Sequence, residues 1–256
     1  GHSIQGNMKK TMKKMMFVLL LVLPAVIRGQ GYESRIYRAY VTGRMDRWKE
    51  VMNEIERTYL STGNQALLFE LADAEYGYIA YLLSEGRKKE ARKILEKAER
   101  HVDRLLRSDP GNPVTYSLLG ALYGYRVGLE PLKAPFYGRK SADANKKALE
   151  LGPQEPRAWL EKANIEFYKP AIFGGSKKEA VVLYEKAVRL FESSPGRTEN
   201  NWIYLNSLIA LATAYEETEA VGKADRVYRK MLELEPDLLW IREEVYPDFR
   251  EKHSLE

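Results

Sequence analysis

The sequence predicts an all-α fold: antiparallel helix pairs stacked into a right-handed superhelix, a solenoid in which each pair packs on its neighbours. Three observations lead there. Apolar side chains recur at helical spacing, as in Ile36, Tyr40, Trp48, Met52, Ile55 and Tyr59. A pattern of large, small and aromatic residues returns at similar spacing in successive stretches. Turn signals such as Asn112-Pro113, Gly152-Pro153 and the lone Gly86 fall between those stretches.

The chain begins with Gly1–Asn7 ahead of the first methionine, Met8, which reads as an appended segment. Residues 8–29 follow the grammar of a secretory signal peptide: Lys9, Lys10, Lys13 and Lys14, the apolar run Met15–Leu23, then Pro24-Ala25-Val26-Ile27-Arg28-Gly29. Cleavage is expected after Gly29, with Arg28 an untidy neighbour. The run is shorter than the ~20 residues of a membrane-crossing helix, so no permanent anchor is expected. No Cys follows it to carry a lipid, and a periplasmic or secreted product is the expectation.

Composition narrows the classes. A chain of 256 residues with 45% hydrophobic and 30% charged content can bury a sizeable core. With no cysteine, its stability rests on packing alone and thiol catalysis is excluded. The formal charge of +5 comes entirely from Lys9, Lys10, Lys13, Lys14 and Arg28, since the chain has 41 basic and 36 acidic residues in all. The expected product is formally neutral, which removes the electrostatic argument for nucleic acid.

Element by element, residues 30–64 form an N-terminal helical segment, a single helix or a pair. Residues 65–236 carry the repeats. Gln65–Leu83 and Arg87–Arg107 make one pair, with Ala91, Leu95 and Ala98 on the second helix. The next opens at Asn112-Pro113 with Tyr116, Leu119, Gly120 and Tyr123, and its second helix bears Ala148. Extra residues fall near 124–140. The third has Trp159 and Ala163, then Ala180, Tyr184 and Ala187, with an insertion at 169–175. The last is the most regular: Leu208, Leu211, Ala212 and Tyr215, then Ala224, Tyr228, Met231 and a closing Pro236. Small residues let two helices approach while Leu and Tyr fill the space beside them. Residues 237–256 supply a capping helix and tail, as a solenoid end requires.

These residues resemble the tetratricopeptide repeat family over Gln65–Pro236. The leader and the Ile-Phe-Gly-Gly insertion are similar to exported bacterial members. More loosely the chain resembles the T-component lipoproteins of TRAP transporters, without their lipid-bearing Cys. The resemblance implies a binding scaffold whose concave face is lined by first helices. That register nominates Ser117, Ala121, Tyr125, Asn164, Tyr168, Ile209, Thr213 and Glu216. A carboxylate clamp is not supported, because Leu160 stands where a Lys is wanted.

Two insertions should emerge on one edge, placing Phe136, Tyr137 and Phe173 where they either meet a partner or pack on their neighbours. Phe173-Gly174-Gly175-Ser176 could cradle an anion, but Ser176 and Glu179 form an S-x-x-E capping box and the glycines permit the turn into it. His101 is expected on a solvated helix face, and His101 and His253 have no metal-ligand spacing. Glu216, Glu217 and Glu219 read as a charged helix face. No nucleophile or zinc motif is present, so neither catalysis, cofactor nor metal is expected. The leading expectation is an exported, non-catalytic scaffold binding a protein or peptide in an envelope assembly. The alternative is a soluble periplasmic transporter accessory that binds a small ligand.

Overall fold

The computed structural model describes residues 31–255; the expected signal segment and Gly1–Asn7 lie outside them. The described residues form five consecutive helix hairpins: α1 (Tyr32–Val41) with α2 (Met45–Thr62), α3 (Gln65–Ser84) with α4 (Lys88–Ser108), α5 (Pro113–Leu129) with α6 (Ala134–Leu151), α7 (Pro156–Tyr168) with α8 (Lys177–Glu192), and α9 (Trp202–Glu217) with α10 (Val221–Leu234). A π turn at Ile241–Val245 leads into the terminal helix α11 (Tyr246–Lys252). Pro247 follows that turn and has no N–H to offer a regular α ladder.

Local chemistry fixes where the hairpins start. Asn64, Asn112, Glu155 and Asn201 each accept a backbone N–H at the start of α3, α5, α7 and α9. Pro113 and Pro156 then occupy first-turn positions, where a missing N–H costs nothing. The N-terminal segment is a pair rather than one helix. The extra residues expected near 124–140 lengthen α5 and α6, leaving only a 3-10 turn at Pro131–Lys133 between them. Pro135 lies in the first turn of α6, which tolerates it.

Packing follows the repeat logic. Ala91, Ala98, Ala148, Ala163, Ala180, Ala187, Ala212 and Ala224 are fully buried, where small side chains let helices approach closely. Within the stack, each second helix also packs on the first helix of the next pair.

The five first helices do not line an open groove. They touch in order, α1 to α3 to α5 to α7 to α9, and α9 returns to α1, closing a ring. Trp202, at the start of α9, meets Trp48 edge-on at 5.1 Å and reaches Tyr40 at 5.8 Å and Tyr76 at 6.0 Å. Tyr76 stacks on Tyr125 at 5.1 Å. Outside this aromatic seam, the Tyr37 hydroxyl donates to Glu235 at 3.1 Å. Both α3 and α9 are apolar nearly all round, and a helix of that kind needs burial on more than one side.

Candidate binding surface

The α5–α6 turn is held on a rigid frame. Arg126 forks onto Glu99 of α4 at 2.8 and 2.6 Å and onto Glu130 at 2.7 Å, and Arg92 donates to the Leu129 carbonyl at 2.6 Å. Beyond that frame Leu132 is 100% exposed and Phe136 56%. Tyr137 stacks on Tyr123 at 6.1 Å, and the Lys140 ammonium lies 4.7 Å from the Phe136 ring centre. This insertion therefore packs through Tyr137 and presents Leu132 and Phe136.

The α7–α8 turn is built by its glycines. Gly174 has φ +87, a left-handed conformation, and a Cβ on Gly175 would lie 1.8 Å from the Lys169 carbonyl oxygen. The Ser176 hydroxyl accepts the Glu179 N–H at 3.1 Å, starting α8. The reciprocal half of the expected capping box is replaced, because the Ser176 N–H donates to the Glu166 carbonyl at 3.1 Å. Out of this turn stand Tyr168, 76% exposed, Ile172, 84%, and Phe173, 71%.

Alternating helix directions place both turns at the C-terminal ends of α5 and α7, which pack on each other. Five large apolar or aromatic side chains thus stand exposed on one edge of the ring. Lys140 lies over the Phe136 ring and Lys177 over the ring of Phe167, next to Tyr168.

The other nominated groove positions lie elsewhere. Ser117 is fully buried and its hydroxyl donates to the Pro113 carbonyl, so it has no surface to offer a partner; that expectation is corrected. Tyr125 is tied into the ring seam, its hydroxyl donating to the Tyr76 carbonyl at 3.2 Å. Asn164 bridges Tyr184 and Glu161 at 2.7 and 3.2 Å. Glu216 lies under α11, accepting from Lys252 at 2.7 Å and sitting 3.1 Å from His253 Nε2. Thr213 is half-buried on the same helix face as Glu216. Ala121 is buried and Ile209 half-buried, so of the eight nominated positions Tyr168 alone is exposed. His101 is not on a solvated face either: its Nδ1 lies 2.9 Å from Glu75, a buried carboxylate on α3 that needs a polar partner.

A second feature escaped the sequence reading. At the opposite end of the ring, buried Arg157 reaches from α7 to Asp73 on α3 at 2.5 Å and sits over the Tyr76 ring. Burial pushes Glu161, one turn further along α7, up to about 7. Beside them a cavity of about 260 Å³ opens among the N-terminal ends of α1, α3, α7 and α9. Among the described residues no cluster of His, Cys, Asp and Glu is arranged to hold a metal ion, and no helix is long and apolar enough to cross a membrane.

Five stacked hairpins with small residues at the helix contacts define a tetratricopeptide-like helical solenoid, here closed on itself. No protein-family model matches the chain, and no curated protein matches it. Solved structures do. The HusA haemophore from Porphyromonas gingivalis is 24% identical with a TM-score of 0.57, covering 74% of this chain and 96% of its own. A thermophilic TPR protein from Thermus thermophilus, TTC0263, is 20% identical with a TM-score of 0.55, covering 82% and 95%. At such identities the likeness establishes the fold.

Proposed function

We propose that this chain is an exported, non-catalytic helical scaffold that binds a protein or peptide partner in an envelope-associated assembly. The observation that carries the reading is the edge formed by Leu132, Phe136, Tyr168, Ile172 and Phe173, all exposed. Exposed apolar patches of this kind mark interaction sites, and aromatic anchors dominate interface energetics. The ring seam fills the inner face with the protein's own side chains, so the edge takes the place of a groove. Export rests on the sequence pattern of residues 8–29 alone. The test is a photoreactive residue at position 172 in the native envelope, with position 60 on α2, also exposed, as the control. A discrete crosslinked protein at 172 and not at 60 supports the reading; equal or no crosslinking at both sinks it.

A second reading is a soluble accessory that carries a small ligand and presents it to a transporter. Its specific support is the fold shared with a haemophore and the exposed rings of Tyr168 and Phe173, which could stack on a flat ligand. Both described histidines are already engaged with carboxylates, and the exposed Tyr168 hydroxyl on this edge is the group that would hold a haem iron. A haem titration read by the Soret band decides it. Saturable binding that Tyr168→Phe weakens favours this reading, and an unshifted band removes it.

A further inference from the structure

The cavity at the N-terminal mouth of the ring has a charge imbalance that folding does not explain. Among the described residues, Glu33, Glu70, Asp73, Glu155 and Glu199 line it against a single cation, Arg157. Two of these carboxylates have structural employment: Glu155 caps α7 and Asp73 pairs with Arg157. Glu70 has none among the described residues, for its Oε2 is buried without a hydrogen-bond partner there. Burial and the repulsion of Glu33 and Asp73 push Glu70 up to about 7.

A second observation is independent of the acids. Arg157 is 5% exposed and pairs with Asp73 through Nη1, yet its Nε and Nη2 have no partner among the described residues. A desolvated arginine normally has its donors satisfied, so two idle donors on a residue lining the cavity, in a cluster where Glu161 Oε1 is also unpartnered, leave room for a further polar group there. The remaining wall is aromatic, with Phe69 and Trp202 among the lining. The carboxylates are not gathered closely enough to ligate a metal ion, which leaves a dispersed organic charge as the complementary ligand.

We propose that this cavity binds a small organic cation, its ammonium against Glu33, Glu70 and Asp73, an acceptor oxygen toward Arg157, and an apolar portion against Phe69 and Trp202. An ammonium beside an aromatic face also gains a cation–π contact. The shared chemistry, an amine with a neighbouring carbonyl, is offered equally by a free amino-acid derivative and by the N-terminus of a peptide.

Calorimetric titration of the protein tests this with L-phenylalaninamide, the peptide Phe-Gly-Gly, phenethylamine, phenylacetate and calcium chloride. The expected result is saturable binding of phenylalaninamide, weaker binding of phenethylamine, which lacks the acceptor, and none of phenylacetate. Comparable binding of Phe-Gly-Gly assigns the site to peptide ends, and its exclusion assigns it to small molecules. Glu70→Gln relieves like-charge repulsion and should fold; it should weaken binding about tenfold or more. Glu33→Gln, at an exposed position, provides a second variant with the same expected direction. Binding of no amine, preference for phenylacetate or calcium, or unchanged affinity in both variants overturns the proposal.

Discussion

Gly77→Ala places one methyl group into the ring seam. Its Cβ would lie 2.5 and 2.8 Å from Trp48 Cζ2 and Cη2 and 3.0 Å from Trp202 Cη2. Neither ring can easily give way. Trp48 Nε1 donates to the Ala74 carbonyl at 2.9 Å, and Trp202 is pinned edge-on against it. Overpacking of this kind costs about 2 kcal/mol, and a displaced Trp48 forfeits a hydrogen bond of about 1 kcal/mol. Against this, alanine gains roughly 1 kcal/mol over glycine in a helix interior. The net loss is about 2 kcal/mol, or a Tm lower by about 4–8 °C for a domain of this size. Gly124→Ala is the matched control: it lies within α5 with nothing within 4 Å of its Cβ, so only the helix gain of about 1 kcal/mol remains. Scanning calorimetry of the two variants beside the parent gives the sign directly. A Gly77→Ala protein as stable as the parent would refute the closed seam, because an open groove would leave that methyl room.

The interior charges and the caps carry further expectations. Glu161 holds its proton up to about 7 in the folded chain but only to the ordinary carboxylate range when unfolded. Stability from this proton is present at low pH and lost as pH rises through 7, so Glu161→Gln should flatten that slope and raise stability at pH 8 by on the order of 1–2 kcal/mol. Urea midpoints at pH 5, 6, 7 and 8 check it, and a parallel profile in the variant would contradict it. Arg157→Ala leaves Asp73 and Glu161 without their buried cation and should cost about 3–5 kcal/mol in urea unfolding, with Asp73→Asn restoring part of the loss. Ser176→Ala removes the α8 cap and should cost about 1 kcal/mol, measured the same way.

The hairpins were legible because their determinants are local. Periodicity, small contact residues such as Ala212 and Ala224, and caps such as Asn112 act within a few residues of the elements they specify. The ring was not, because its seam joins residues far apart in the chain, Trp48 with Trp202 and Tyr37 with Glu235. A signal was present: α3 and α9 lack a polar face, which a groove-lining helix would keep. The extra residues expected near 124–140 begin inside a regular element: Gly124 and Gly128 both sit in α5, whose neighbours hold the helix despite the glycine cost. Of the nominated site, Phe136, Tyr168 and Phe173 stand on the exposed edge, because insertions between paired helices must leave the packed layer. The buried Glu75 beneath His101 and the Arg157 cluster depend on tertiary neighbours that no local pattern announces.

Closure also separates the two surfaces it creates. α7 carries Arg157 in its first turn and Tyr168 at its end, and its 13 residues span about 20 Å at ~1.5 Å per residue. That is about twice the ~8–10 Å screening length at physiological salt, so charge changes at the mouth should not be felt electrostatically at the edge. Any coupling would have to pass through α7 itself, as a shift of the helix against the seam. Glu70→Gln should therefore leave crosslinking at position 172 unchanged, since it alters charge without moving α7. Gly77→Ala should affect both ends together, since the strained Trp202 begins α9 and its contact Tyr76 lies under Arg157. A response at the edge to Glu70→Gln alone would show that the ring transmits more than its packing implies.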